Sequence, residues 1–204
     1  DFRSPGGLYS KISQETFELD FLLERPDAYY KIAVEHIHPL ADRTPNLTHT
    51  MLTEMEKHSL LDILITQNID GLHQKAGSQN ILELHGSIWW LRCTQCGQLG
   101  EDRTAPLPAL PRCAACGGLL RPHVVWFGEM LDAAVIEKAY AEIQTCDLML
   151  VIGTSGTVQP AASMGMHAKG AGAMVVEINL EPTPYTDSFH ISLIGKAGDI
   201  VPLL

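Results

Sequence analysis

From Gln14 to Leu40 apolar and charged residues alternate at helical spacing, broken at Arg25-Pro26-Asp27, which reads as a stop, a proline and a fresh N-cap. Two helices are expected there. After Pro45 a second helical pattern runs from Asn46 to about His58, with Leu47, Met51, Leu52 and Met55 on one face. It leads into a short apolar strand, Ile63-Leu64-Ile65. Beyond it the pattern predicts strand 81–84, a cysteine-rich interlude over 92–120, helix 132–144, strand 147–152, helix 160–169 and strand 174–179.

Strands that are apolar on both sides and separated by helices imply a parallel sheet covered on both faces. The expected fold class is therefore α/β, a doubly wound parallel sheet carrying an inserted small module. In such sheets ligands bind beyond the carboxyl ends of the strands. The polar clusters of this chain sit there: TQNID after 63–65, HGS after 81–84, GTSG after 147–152 and NLE after 174–178.

The interlude departs from this pattern, being rich in Cys, Gly and Pro. Cys93-x-x-Cys96 and Cys113-x-x-Cys116 are separated by sixteen residues, the spacing of a ribbon in which four thiolates close a tetrahedron around Zn²⁺. Four cysteine ligands leave no position for water, so one structural zinc per chain is expected. Cys146, between a helix and an apolar strand, reads as a buried hydrophobe.

Composition narrows the function. With 14 Lys+Arg against 24 Asp+Glu the formal net charge is -10, which repels a phosphate backbone over most of the surface, so no nucleic-acid partner is expected. No apolar run approaches the ~20 residues of a membrane helix, and the N-terminus lacks a signal-peptide pattern. A cytoplasmic chain without a membrane partner is expected.

Taken one at a time, the polar motifs stay ambiguous. Gly153-Thr154-Ser155-Gly156, between a strand and a helix, suits phosphate oxygens, and it equally suits a tight turn. Asn179 and Glu181 stand where ribose hydroxyls are bound, or where caps stand. His85, just past a strand and followed by Gly86, is either catalytic or structural. The extended segment Arg121-Pro122-His123-Val124-Val125-Trp126-Phe127-Gly128-Glu129 is a linker strand, or an edge to which a peptide adds.

Together, TQNIDGLHQKAG, ELHGS, the two C-x-x-C pairs, RPHVVWFGE, GTSGTVQPAA and VEINLEP, in that order, resemble the sirtuins, NAD-dependent protein lysine deacylases, in their compact bacterial and archaeal form. The resemblance spans essentially the whole chain. It implies a Rossmann-type NAD-binding domain, 1–87 and 121–204, with a zinc-ribbon module, 88–120, the NAD and the acyl-lysine protein or peptide entering between them. His85 would be the general base for a ribose hydroxyl. Gln67, Asn68, Ile69 and Asp70 would hold nicotinamide and its ribose, Gly153, Thr154 and Ser155 the phosphates, Asn179 and Glu181 the adenosine side, and Ala197, Gly198 and Asp199 the adenine. Tyr30, Val124, Val125, Phe127, Gly128, Glu129 and Val158 would bind the substrate.

The resemblance also marks two departures. Sirtuins usually open with a strand and a Gly-Ala-Gly-x-Ser loop that ends in Gly-Ile-Pro-Asp-Phe-Arg, and this chain starts at Asp1-Phe2-Arg3, so the loop over the pyrophosphate is missing from it. Asp1, Phe2 and Arg3 would shield the ribose and approach its phosphates. Members that remove succinyl or malonyl groups carry Tyr-x-x-Arg, whereas Tyr30 is followed three residues later by Ala33. Neutral acyl groups, chiefly acetyl, are therefore expected, because a carboxylate in an apolar tunnel without a cation is costly. The rival readings are an NAD-dependent protein ADP-ribosyltransferase and a non-catalytic acyl-peptide binder.

Overall fold

The computed structural model describes residues 12–105 and 110–204. In chain order its elements are α1 (Leu19–Glu24), α2 (Pro26–His36), α3 (Leu47–Lys57), β1 (Leu64–Thr66), α4 (Leu72–Ala76), β2 (Ile81–Glu83), β3 (Gly86–Cys93), β4 (Leu99–Glu101), β5 (Leu120–Val124), α5 (Ala133–Ile143), β6 (Leu148–Ile152), α6 (Met164–Ala171), β7 (Met174–Asn179), β8 (Ile191–Ile194) and α7 (Ala197–Ile200). They fall into two compact units. One holds the described residues up to Arg43 with Asn68–Gly71 and His85–Leu131; the other holds Thr44–Gln67, Leu72–Leu84 and Asp132–Leu204.

In the first unit α1 and α2 divide at Arg25, where Pro26 takes a first-turn position that needs no backbone donor. Their apolar faces place Leu22, Tyr29, Tyr30 and Ala33 in a buried cluster with Leu91 and Trp126. The cysteine-rich interlude is more regular than its composition suggests. It forms an antiparallel sheet in the order β4-β3-β5, with a register irregularity between Ser87 and Leu91. From Trp89 onward alternation, not helical period, organises it: β3 buries Trp89, Leu91 and Cys93 and exposes Trp90 and Arg92, after a buried run over Ser87, Ile88 and Trp89.

In the second unit the strands are parallel, as expected, and they form two ladders. One pairs β1 with β2, Leu64 opposite Ile81; the other runs β6-β7-β8. Leu82 and Leu84 share a core with Ala139 and Ile143 of α5, Met164 and Ala168 of α6, and Val175 of β7. Cys146 packs on this core as a half-buried hydrophobe, and burial pushes its thiol up. Strand β8, four residues long, was not foreseen. α3 differs in one respect from its pattern: Leu47 is 53% exposed, while Thr48, His49, Leu52 and Thr53 are buried. Two of the buried polar side chains are partnered, His49 in a capping box with Asn46 and Thr53 with the His49 carbonyl and with Ser78, whereas Thr48 Oγ1 has no hydrogen-bond partner among the described residues.

Candidate active site

In the second unit three strand ends meet at Thr154. Gln67, just past β1, donates from Nε2 to Thr154 Oγ1 at 3.2 Å, and Asn179, at the end of β7, donates from Nδ2 to the Thr154 carbonyl at 2.8 Å. The turn after β6 is fixed from below by the Gly153 amide on the Ile178 carbonyl, 2.9 Å, and internally by the Gly156 amide on Thr154 Oγ1, 3.3 Å. Gly153 and Gly156 both take positive φ, 63° and 65°, which L side chains rarely adopt. Space beside Gly153 is open, so backbone can approach a ligand closely there. Ser155 is exposed and bonded to Thr157, and Glu181 is exposed. Ala197 and Gly198 begin α7, where Gly198 faces Thr48. Val158 lies in the same unit, its carbonyl accepting from Ala162.

The first unit holds the groups expected around the reacting atoms. The loop through Asn68, Ile69 and Asp70 is pinned to β3: the Ile88 amide donates to the Ile69 carbonyl at 3.0 Å, and the Trp89 indole donates to the Asp70 carbonyl at 2.5 Å. His85 is half-buried, and its carbonyl accepts from the Val125 amide at 2.9 Å. Gly86 follows at φ 71°, where an added Cβ would stand 2.1 Å from the His123 carbonyl oxygen. The backbone crossing there demands glycine.

In the segment expected to receive the peptide, the amides of Val125, Trp126, Phe127 and Glu129 are all bonded. Beyond the tie to His85, the Trp126 amide donates to Glu129 Oε2 at 3.1 Å, the Phe127 amide to the Phe17 carbonyl at 3.2 Å, and the Glu129 amide to the Trp126 carbonyl at 2.9 Å. Phe127 and Gly128 are exposed, and Val124 and Val125 are half-buried. The Glu129 carboxylate turns inward to Arg121, accepting from Nη2 at 2.8 Å and Nη1 at 3.3 Å. Arg121 and Trp89 are thus two residues that sequence reasoning passed over. A lone arginine in an apolar extended segment, eight residues before a glutamate, is the signal that could have marked the first. Tyr30 donates its hydroxyl to the Leu120 carbonyl. Burial pushes the phenols of Tyr29 and Tyr30 well above their ordinary range, with Arg121 opposing, so both stay neutral.

The four cysteines form one cluster, all Sγ atoms within 4.8 Å of one another, the right size to enclose a tetrahedral Zn²⁺. The Cys96 amide, with that of Gln95, draws the Cys93 thiol down to about 6. For Cys116 the Gly118 amide pulls downward but the neighbouring thiols outweigh it, pushing it up to about 12. Crowded thiols that cannot all ionise unaided are what a divalent cation relieves. Asp1, Phe2 and Arg3 lie outside the described residues.

The model of the Sir2 family matches residues 1–160. The chain belongs to the Sir2 family. It is 41% identical over 202 residues to NAD-dependent protein deacylase 1 of Archaeoglobus fulgidus, covering 98% of this chain and 82% of that protein. It is 44% identical over 205 residues to the NAD-dependent protein deacylase of Aquifex aeolicus, covering 97% and 83%. Among solved structures, a Sir2 homologue–NAD complex superposes with TM-score 0.92 at 40% identity, covering 98% of this chain and 79% of that one. A Sir2 bound to acetylated peptide gives 0.88 at 32% identity, covering 95% and 83%. The chain shares the fold of its Sir2 relatives, is mixed α/β with parallel sheets, and holds a four-cysteine cluster that fits one structural zinc. Among the described residues no helix is long and apolar enough to cross a membrane.

Proposed function

We propose that this Sir2-family chain is an NAD-dependent protein lysine deacylase of the cytoplasm, with His85 as its general base and neutral acyl groups as its preferred cargo. The observation that carries the site reading is the bond from the Val125 amide to the His85 carbonyl, which puts the base and the peptide-binding segment in one backbone ladder. In functional terms residues 88–120 serve as the zinc ribbon and 1–87 with 121–204 as the Rossmann-type NAD domain.

Bound NAD supplies a ribose carbon from which nicotinamide can depart, and the acyl oxygen of the substrate lysine takes its place. Gln67, Asn68, Ile69 and Asp70 orient the nicotinamide side, while Asp1, Phe2 and Arg3 shield the ribose. Gly153, Thr154 and Ser155 meet phosphate oxygens through backbone amides and hydroxyls, and Asn179, Glu181, Ala197 and Gly198 hold the adenosine. His85 would take the proton of a ribose hydroxyl so that its oxygen can bond to the acyl carbon; with one water consumed the lysine amine leaves, and O-acyl-ADP-ribose is the other product.

Support for neutral cargo comes from α2. Ala33 is buried, Lys31 on the same helix is exposed, and Arg121, whose charge reaches Tyr30, already pairs with Glu129. Val124, Val125, Phe127, Gly128 and Val158 wall the peptide. The deciding experiment is nicotinamide release by the full chain with NAD and an acetyl-lysine peptide. Release that requires peptide supports the deacylase; ADP-ribose transferred to protein, or peptide binding without nicotinamide release, would replace it with one of the rival readings.

A further inference from the structure

Glu177 lies in the middle of β7 and is 1% exposed, a carboxylate in the best-shielded part of the second unit. Its two oxygens are met by three hydroxyls. Thr183 Oγ1 donates to Oε1 at 2.5 Å, and Thr186 Oγ1 and Ser192 Oγ reach Oε2 at 2.6 and 3.0 Å. Because an ionised carboxylate only accepts, the direction of the whole network is set by it. Each threonine oxygen is left to accept in turn, Thr183 from the Tyr185 amide at 3.2 Å and Thr186 from the Thr183 amide at 2.7 Å. The turn over 183–186 therefore hangs from one buried side chain.

That turn has a specific neighbour. A Cβ built on Gly156 would stand 3.3 Å from Thr183 Cβ, 3.3 Å from the Tyr185 ring and 3.5 Å from Pro184, so the 183–185 segment is the wall against which the Gly153–Gly156 turn rests. Tyr185 also accepts from Gln159 Nε2 at 3.2 Å, beyond the same turn. Burying a carboxylate away from water is expensive unless its lone pairs are satisfied, and three hydroxyls satisfy them here with no cation bonded to it among the described residues. A side chain retained at that cost needs a role other than filling the core, since Val175 and Ile178 fill it on the same strand.

We propose that Glu177 is a positioning residue for the nucleotide side of the site. By fixing the 183–186 turn it holds Gly156 and, through it, the Thr154 junction in the shape that receives the NAD phosphates. This rests on the assignment of Gly153–Ser155 to the phosphates, and it makes the effect selective: nucleotide binding depends on Glu177, whereas peptide binding does not.

The test is isothermal calorimetry with ADP-ribose, together with KM for NAD and for acetyl-lysine peptide, on the full zinc-loaded chain and on Glu177→Gln, Thr183→Val and Thr183→Ser. Loss of one hydrogen bond to a charged group corresponds to roughly 10-fold. Thr183→Val is expected to weaken ADP-ribose binding and raise KM for NAD about that much, with KM for peptide changed less than 2-fold and Thr183→Ser near the parent. Glu177→Gln, which spoils several bonds at once, is expected to do more. Equal ADP-ribose affinity in Thr183→Val and the parent, or matching losses for NAD and peptide, would overturn the positioning role. A parent chain that binds no ADP-ribose would overturn the NAD site itself, a result distinguishable from either.

Discussion

Arg121 and Glu129 form a two-pronged ion pair across the turn that ends the Val125–Glu129 segment, with Glu129 also accepting from the Trp126 amide. The arginine side chain is 10% exposed and the glutamate 25%. A pair so placed is costly to break from one side, because the surviving charge stays largely out of water. Glu129→Ala is expected to destabilise the chain by about 3 kcal/mol, read as a fall in the denaturation midpoint. It is also expected to raise KM for peptide more than KM for NAD. Recovery of much of the stability in Arg121→Leu/Glu129→Leu would confirm that the stranded arginine, and not the missing contact, carries the loss.

His85→Ala removes an imidazole whose backbone stays tied through Val125 and Gly86. Folding and zinc content should hold, and turnover to O-acyl-ADP-ribose should drop by ~10²–10⁴. A variant that turns over at the parent rate would place the base elsewhere.

Gly86→Ala should be worse for the protein than His85→Ala. The new methyl meets the His123 carbonyl at 2.1 Å on a backbone at φ 71°, and both strain and clash act at once. A loss of more than ~2 kcal/mol is expected, measured by chemical denaturation, with activity falling alongside as the crossing of β3 and β5 is forced apart.

Metal analysis should find one zinc per chain. A strong chelator, or Cys93→Ala, is expected to loosen the β4-β3-β5 sheet before the second unit, since structural zinc binding is worth on the order of 10 kcal/mol in small modules. Protection of the Cys93 and Cys113 amides from hydrogen exchange would report it; undiminished protection after zinc loss would show that the sheet stands without metal.

With matched peptides, kcat/KM for succinyl-lysine should fall at least ~10-fold below that for acetyl-lysine. Succinyl removed faster than acetyl would reveal a cation in the acyl site.

Much of this was legible in the chain because period and punctuation agreed. Asn46 marks a helix start by its side-chain acceptor and stands where expected, whereas the cap expected at Asp27 falls at Arg25, with Pro26 and Asp27 already in the first turn. The two C-x-x-C pairs announce their cluster by spacing alone. What was hidden depends on partners far away in sequence. The polar inner face of α3 makes sense only once Ser78 is beside Thr53. Glu177 reads as a polar interruption in an apolar strand until Thr183, Thr186 and Ser192 fold over it. Glu129 looks like an outward contact for a peptide until Arg121 draws it in. The split into two parallel ladders was equally out of reach, since apolar strands advertise burial and not which neighbour they bond to.

That split gives the second unit a grain. Between the β1-β2 pair and the β6-β7-β8 sheet no ladder runs among the described residues, and side chains join the two: Leu82 and Leu84 share a core cluster with Val175 and Met164, and Gln67 bonds Thr154. The short pair, three residues per strand, therefore meets the larger sheet through these side chains. Gln67 is the polar one among them, and it ties the end of β1 to the turn after β6.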